Sequence, residues 1–304
     1  MRSKLPDPKR ESVSCMAVSE SDDIKSLQRL LVCPLCKGTL HFSPEMISCV
    51  SCGLELVQSR HDCIDLLPGN LLENDRSGWK FRQQEMERWY QELIAHPNWA
   101  IQCFIDDYTS YASLLATLAG TVLDIGGGNG VIRHYLPESV YYISIDPSME
   151  WFGNRWGPIA ESLPCLKTPP LFIRGIGEYL PFPPNCFDAV LAFWSLNHAS
   201  CPATIFQETY RVLKPAGRLI VTLEDMSPRW LDLMTPTLLS RGFPLLAKMT
   251  KGKILCSLRG KEWPVQGDHI RISESEIQKW ITGRFEITRR MWIKTHLTFD
   301  LRRS

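Results

Sequence analysis

The hydrophobic pattern changes character three times along the chain. From residue 29 to 67, apolar residues come in short runs broken by Cys-Pro, Lys-Gly and Cys-Gly pairs. Leu66, Leu67, Pro68, Gly69 and Asn70 then open a linker that reaches about Gly78, with turn chemistry at Pro-Gly-Asn. Helical spacing follows. Met86, Trp89, Tyr90, Leu93 and Ile94 recur at three and four residues, and after Pro97 so do Ile101, Phe104, Ile105, Tyr108, Leu115 and Leu118. Beyond them the period shortens to strand-like runs at 122–125, 141–145, 171–173, 187–194 and 219–223, separated by helical stretches or loops. Strands alternating with crossovers predict a parallel α/β sheet.

The last part of the chain predicts one more helix and two strands. Ser273 and Glu276 have capping-box spacing, Ile277, Trp280 and Ile281 supply an apolar face, and Gly283 falls where a glycine ends a helix. Residues 285–293 and 295–301 read as two tightly joined, antiparallel strands. Residues 1–25 are polar and aperiodic, which predicts a mobile leader over 1–28.

Composition narrows the function classes. With 304 residues, 44% apolar and 22% charged, the chain can form one large domain or two unequal ones. Lys plus Arg is 34 and Asp plus Glu is 33, which argues against a strongly basic nucleic-acid coat. The charge is uneven, however. Residues 31–109 carry 6 basic and 11 acidic side chains, and residues 228–304 carry 15 basic and 7 acidic. No run approaches the roughly 18 apolar residues of a membrane helix. The N-terminus has no apolar signal core, and the eleven cysteines are an odd number. Reduced thiols and a cytoplasmic location are expected.

Cys33-Pro34-Leu35-Cys36 is followed after twelve residues by Cys49-Val50-Ser51-Cys52. Two such knuckles can set four thiolates around one zinc ion, and four sulfur ligands leave no open position, so Zn2+ is expected to be structural. Glycines at Gly38 and Gly53 would let the chain turn so that N–H groups point at sulfur.

Residues 122–130 read VLDIGGGNG and end the first strand-like run. Gly126, Gly127, Gly128 and Gly130 allow the backbone to pass close to a ligand at the carboxyl end of a strand. Twenty-two residues after Asp124 the second run ends at Asp146, placed to accept hydrogen bonds from ribose hydroxyls. A dinucleotide fingerprint fails, because Val131 and Arg133 stand where its third glycine would be.

These residues resemble the class I S-adenosylmethionine-dependent methyltransferases, in their ubiquinone/menaquinone-methyltransferase-like branch. Besides the glycine loop and Asp146-Pro147-Ser148, the likeness rests on Gly177-Glu178-Tyr179-Leu180-Pro181-Phe182, on Cys186-Phe187-Asp188-Ala189-Val190 and on Val212-Leu213-Lys214-Pro215-Ala216-Gly217-Arg218-Leu219. The resemblance implies a Rossmann-like, seven-stranded α/β sheet, parallel with one antiparallel strand, over residues 110–304, with a cap insertion at 226–269. It implies S-adenosyl-L-methionine bound by Asp124, Gly126, Gly127, Gly128, Gly130, Asp146, Pro147, Ile176, Gly177, Glu178 and Phe193. Ile176 replaces the family's usual adenine-binding aspartate, and Trp151 replaces a frequent methionine. Residues 31–38 and 65–68 resemble the Trm112-like zinc-binding domains, which implies a small zinc ribbon at 29–68 ahead of linker and helices at 69–109. Bacterial 23S rRNA guanine-N1 methyltransferases carry a comparable module.

The methylated acceptor is expected beside the end of the fourth strand, at Phe193-Trp194-Ser195-Leu196-Asn197-His198. His198 is the candidate base, against a reading as a helix-capping histidine, and His269 is a second candidate. The near-neutral charge favours a small-molecule or lipid-like acceptor. RNA is the alternative acceptor, and a non-catalytic partner-binding protein is the alternative class. The sequence assigns no oligomeric state.

Overall fold

The computed structural model describes residues 20–58, 63–69, 78–148, 150, 171–224, 226, 269–294 and 296–304. Most of the expected leader, the linker at 70–77, Trp151 and the cap insertion apart from Met226 and His269 lie outside the described residues.

After helix α1 (Glu20–Leu30), strands β1 (Leu40–Phe42), β2 (Met46–Cys49) and β3 (Glu55–Val57) pair antiparallel in that order. This ribbon is too small for a core of its own. Its Leu27, Leu31, Cys33 and Ile47 instead join the apolar cluster that contains Leu180, Phe182 and Phe206. Val32 N–H donates to Pro181 O at 2.9 Å. Lys37 Nζ donates to Leu180 O at 3.1 Å and to Glu208 at 2.7 Å, so the ribbon is fastened by both apolar and polar contacts.

Among the described residues the larger sheet has eight strands. They are β4 (Ile64–Asp65), β5 (Thr121–Ile125), β6 (Tyr141–Asp146), β7 (Leu171–Arg174), β8 (Phe187–Phe193), β9 (Leu213–Leu223), β10 (Phe285–Ile293) and β11 (His296–Arg303), in the order β10-β11-β9-β8-β5-β6-β7-β4. All seven anticipated strands are present, and β11 alone runs against its neighbours β9 and β10. The eighth strand was not anticipated. Ile64 and Asp65 are only two residues, too short to show a period, yet they extend the edge parallel to β7. Arg174 holds that edge through an ion pair with Asp65 at 2.7 Å.

Central strands are covered on both faces, which explains their unbroken apolar runs. Leu123, Ile143, Val190, Leu191 and Ile220 are all fully buried. Each such side chain contributes roughly 1.5–3 kcal/mol of burial. The segment after β5 forms a short 3-10 turn, Val131–Tyr135. β9 begins at Leu213, six residues ahead of its apolar run, with Ala216 at φ 60° inside it.

Between ribbon and sheet lie α2 (Trp79–Ala95), α3 (Pro97–Thr109) and the short α4 (Ala112–Leu115). Helix α5 (Pro202–Val212) connects β8 to β9. The late helix α6 (Glu274–Ile281) has the expected capping box, with Ser273 accepting from Glu276 N–H and Glu276 accepting from Ser273 N–H. Gly283 follows in the left-handed conformation, at φ 72°.

Candidate functional site

Strand order reverses at β5, between β6 and β8, and a crevice opens there at the carboxyl ends of the strands. Gly126 makes the turn out of β5 with φ 71°, and its N–H donates to Ile145 O at 2.8 Å. A Cβ on Gly126 would sit 2.4 Å from Ser195 Cβ. One on Gly127 would sit 2.5 Å from Ser144 Oγ and 2.7 Å from Asp124 Oδ2. These glycines are required by packing beneath and beside the loop, which leaves the loop backbone facing the crevice.

Asp146, 3% exposed, ends β6. Its Oδ2 accepts from Gly128 N–H at 3.1 Å and its Oδ1 from Ser148 N–H at 2.8 Å. A carboxylate at this place, lining the crevice, is of the chemical type that accepts from ligand hydroxyls. Pro147 O accepts from Arg174 Nε at 3.2 Å, which ties the tip of β6 to the sheet edge. Asp124 is placed differently from the sequence expectation. It lies under the loop, away from the crevice lining, where Tyr142 Oη donates to it at 2.6 Å. Burial pushes its carboxyl up to about 7. The Tyr142 hydrogen bond opposes that rise, and the neighbouring Asp146 charge adds to it.

The crevice is a cavity of about 720 Å³. Gly126, Gly127, Gly128, Asp146 and Pro147 line one side, and Ile176, Gly177, Glu178 and Phe193 continue it. Gly130 is not part of the lining. Ile176 packs with Leu67, Trp79 and Tyr179, an apolar corner in place of the family's adenine-binding carboxylate. Glu178 accepts from Ser200 N–H at 2.8 Å and Cys201 N–H at 3.0 Å, at the N-terminus of α5. Burial raises its carboxyl above the usual range, and those backbone bonds and Arg82 oppose the rise.

Helices α2 and α3 form the opposite wall, which periodicity alone could not assign. Their polar side chains read as ordinary surface positions, but Arg82 is buried and donates to His198 O at 3.2 Å and Ala199 O at 2.9 Å. It anchors α2 over the segment expected to meet the acceptor. Trp194 turns the chain there with φ 56°, unusual for a bulky side chain and a sign that surrounding packing enforces the bend.

His198 and His269, the two candidate histidines, meet with ring centroids 4.6 Å apart. Glu224, which nothing in its local sequence singled out, joins them. Its Oε2 lies 3.1 Å from His269 Nε2, and its Oε1 lies 4.0 Å from His296 Nε2. All four residues line the cavity.

The crevice fits S-adenosylmethionine in chemical character. Asn129 Nδ2, Trp194 Nε1 and Ser195 Oγ are buried, have no hydrogen-bond partner among the described residues and belong to lining residues, so they are candidate donors for an amino-acid group. Asp146 is a carboxylate in the lining, the type of group that pairs with ribose hydroxyls, and the aromatic rings of Tyr108 and Trp194 suit a sulfonium cation.

At the other end of the chain, Cys33, Cys36, Cys49 and Cys52 bring their sulfurs within 4.8 Å of one another. Cys33 and Cys52 sulfurs are 3.6 Å apart, and those of Cys36 and Cys49 are 3.4 Å apart. Arms of 2.3 Å in a tetrahedron give sulfur separations of about 3.8 Å, so this set could hold zinc with little adjustment. Gly38 N–H points at Cys36 Sγ, 3.4 Å away. The left-handed residue of the first knuckle is Lys37, at φ 63°, and that of the second is Gly53, at φ 70°.

Comparison with known proteins agrees with this geometry. Residues 123–221 match the family model described as a methyltransferase domain. A ubiquinone/menaquinone biosynthesis C-methyltransferase, UbiE of Rhizobium rhizogenes, is 32% identical over 102 residues, which is 33% of this chain and 40% of that protein. A demethylmenaquinone methyltransferase of Paenarthrobacter aurescens is 28% identical over 158 residues, which is 49% of this chain and 58% of that one. The chain thus spans about half the length of the curated relatives it matches. Among solved structures, a SAM-dependent methyltransferase from Aquifex aeolicus is 16% identical, with a TM-score of 0.40, covering 60% of this chain and 82% of that one. Residues 123–221 are therefore a methyltransferase domain, and it is of the class I, S-adenosylmethionine-dependent kind.

Proposed function

We propose that the protein transfers the methyl group of S-adenosylmethionine to a small-molecule or lipid-like acceptor bound in the β5–β8 crevice. The observation that carries this reading is the character of the cavity wall. Among the described lining residues there are six carboxylates, Glu85, Glu92, Asp107, Asp146, Glu178 and Glu224, against one arginine, Arg88, and no lysine. A phosphate backbone would be repelled from such a wall, whereas a neutral or cationic small molecule would not. Trp79, Trp89, Tyr90, Phe104 and Tyr108 give the same wall broad aromatic surfaces suited to a flat or lipid-like body. The curated relatives are named for ubiquinone, menaquinone and demethylmenaquinone, which supports an acceptor of that general kind.

In this reading Asp146 holds the ribose, residues 126–130 and Ser195 lie along the methionine part, and Ile176 and Phe193 supply apolar contact. His198, Glu224 and His269 face the acceptor's polar group. A structural zinc bound by Cys33, Cys36, Cys49 and Cys52 holds the ribbon together, in a cytoplasmic protein. Incubation with methyl-labelled S-adenosylmethionine, a lipid and metabolite extract and total RNA tests the acceptor class. Label is expected in the extract fraction; label confined to RNA would overturn the choice.

A further inference from the structure

His198, Glu224 and His269 bring one ligand atom each to within 4.8 Å of the others. They come from three distant parts of the chain: the turn after β8, the end of β9 and the segment ahead of α6. What brings them together is Asn197, which is fully buried. Its Oδ1 accepts from Glu224 N–H at 3.2 Å, its Nδ2 donates to Ile270 O at 3.1 Å, and its backbone O accepts from Ile270 N–H at 2.7 Å. The residues that Asn197 clamps are Glu224 itself and the neighbour of His269, while His198 is its own neighbour. One buried residue therefore ties together the backbone segments that carry all three side chains.

The donor set is two imidazoles and one carboxylate, the combination that zinc and ferrous sites use when a coordination position is left open. In a tetrahedral site with arms near 2.1 Å, neighbouring ligand atoms are about 3.4 Å apart. His269 Nε2 and Glu224 Oε2 are 3.1 Å apart, close to that edge length. His269 is nearly buried, with a side chain 4% exposed, so its position is held by packing. The second oxygen of Glu224 faces His296 Nε2 at 4.0 Å, and His296 Nδ1 lies 3.4 Å from Tyr111 Oη. That outer contact can orient the carboxylate as neighbouring groups do around metal ligands.

We propose that His198, Glu224 and His269 bind one divalent transition-metal ion of the zinc or ferrous class, whose open position takes an oxygen of the acceptor. The inference rests on the methyltransferase reading only for the identity of that oxygen. Imidazole nitrogens disfavour magnesium and calcium, which prefer all-oxygen sites. The open side of the trio is the cavity, so the bound oxygen belongs to whatever shares it with the methyl donor.

The test uses the full chain with zinc already in its cysteine site, titrated with Co2+ without oxygen. Wild type is expected to take up about one cobalt per chain with visible absorption but no sulfur-to-cobalt charge-transfer band. His269→Ala and Glu224→Gln should each weaken cobalt binding by about 100-fold or more, beyond the effect typical of outer contacts. No cobalt uptake by wild type, uptake with thiolate bands only, or equal uptake by the variants would each overturn the proposal. S-adenosylmethionine titrated into the same wild-type sample separates the two readings. Binding of it without cobalt uptake would remove only the metal site; its failure to bind would remove the methyltransferase reading, whatever the cobalt does.

Discussion

Asp124→Asn changes one buried atom and removes one charge. Asp124 is 2% exposed, accepts from Tyr142 Oη at 2.6 Å through Oδ2, and has no partner for Oδ1 among the described residues. Its carboxyl is raised by burial from an ordinary 3.8 to about 7. Below pH 3.8 both folded and unfolded chains hold the proton, and the group costs nothing. Between 3.8 and about 7 the unfolded chain releases its proton while the folded chain keeps it, so stability falls by about 1.4 kcal/mol per pH unit. Above about 7 the whole penalty, about 4 kcal/mol, is present. Asparagine keeps an acceptor for Tyr142 and carries no charge, although its buried NH2 costs about 1–3 kcal/mol at every pH. Urea unfolding of both proteins between about pH 5 and about pH 8 should show the variant gaining about 3 kcal/mol on the wild type as pH rises. A difference that stays constant over this range would refute the argument, because it would mean that Asp124 is already ionised at the acid end.

Three further outcomes follow from the packing. Gly127→Ala should lower stability by a few kcal/mol and weaken S-adenosylmethionine binding, since its methyl would press on Ser144 and Asp124; melting and titration of the variant check both. Arg82→Met should loosen α2 from the site segment by about 1–3 kcal/mol and speed hydrogen exchange in residues 79–95, because the Ala199 and His198 carbonyls, the first of them buried, lose their charged donor. Elemental analysis should find zinc in the wild type, and Cys36→Ser should lose about one equivalent of it and loosen residues 31–57 while the large sheet stays folded.

Much of this molecule was legible in the sequence because its strongest signals are local. Five strands announce themselves as apolar runs and two more as a tightly joined pair, the capping box of α6 is read from two residues, and the cysteine knuckles from their spacing. Contacts between distant segments were not legible. β4 is two residues long and exists only because β7 offers it an edge. The buried role of Arg82 depends on α2 lying over His198, which no period reveals. Glu224 ends a strand like many other acids, and its meeting with His198 and His269 depends on the Asn197 clamp. Asp124 and Asp146 looked alike as strand-end acids, yet only Asp146 reaches the cavity, because Asp124 is covered by the loop it precedes.

The central claim is that the crevice holds S-adenosylmethionine with Asp146 as the polar anchor for its ribose. Calorimetric titration of wild type and Asp146→Ala tests it most directly. Wild type should bind one S-adenosylmethionine per chain, and the variant should lose about 1.5–3 kcal/mol of binding, a weakening of roughly 10- to 150-fold. No binding by the wild type, or equal affinity in the two proteins, would contradict the account.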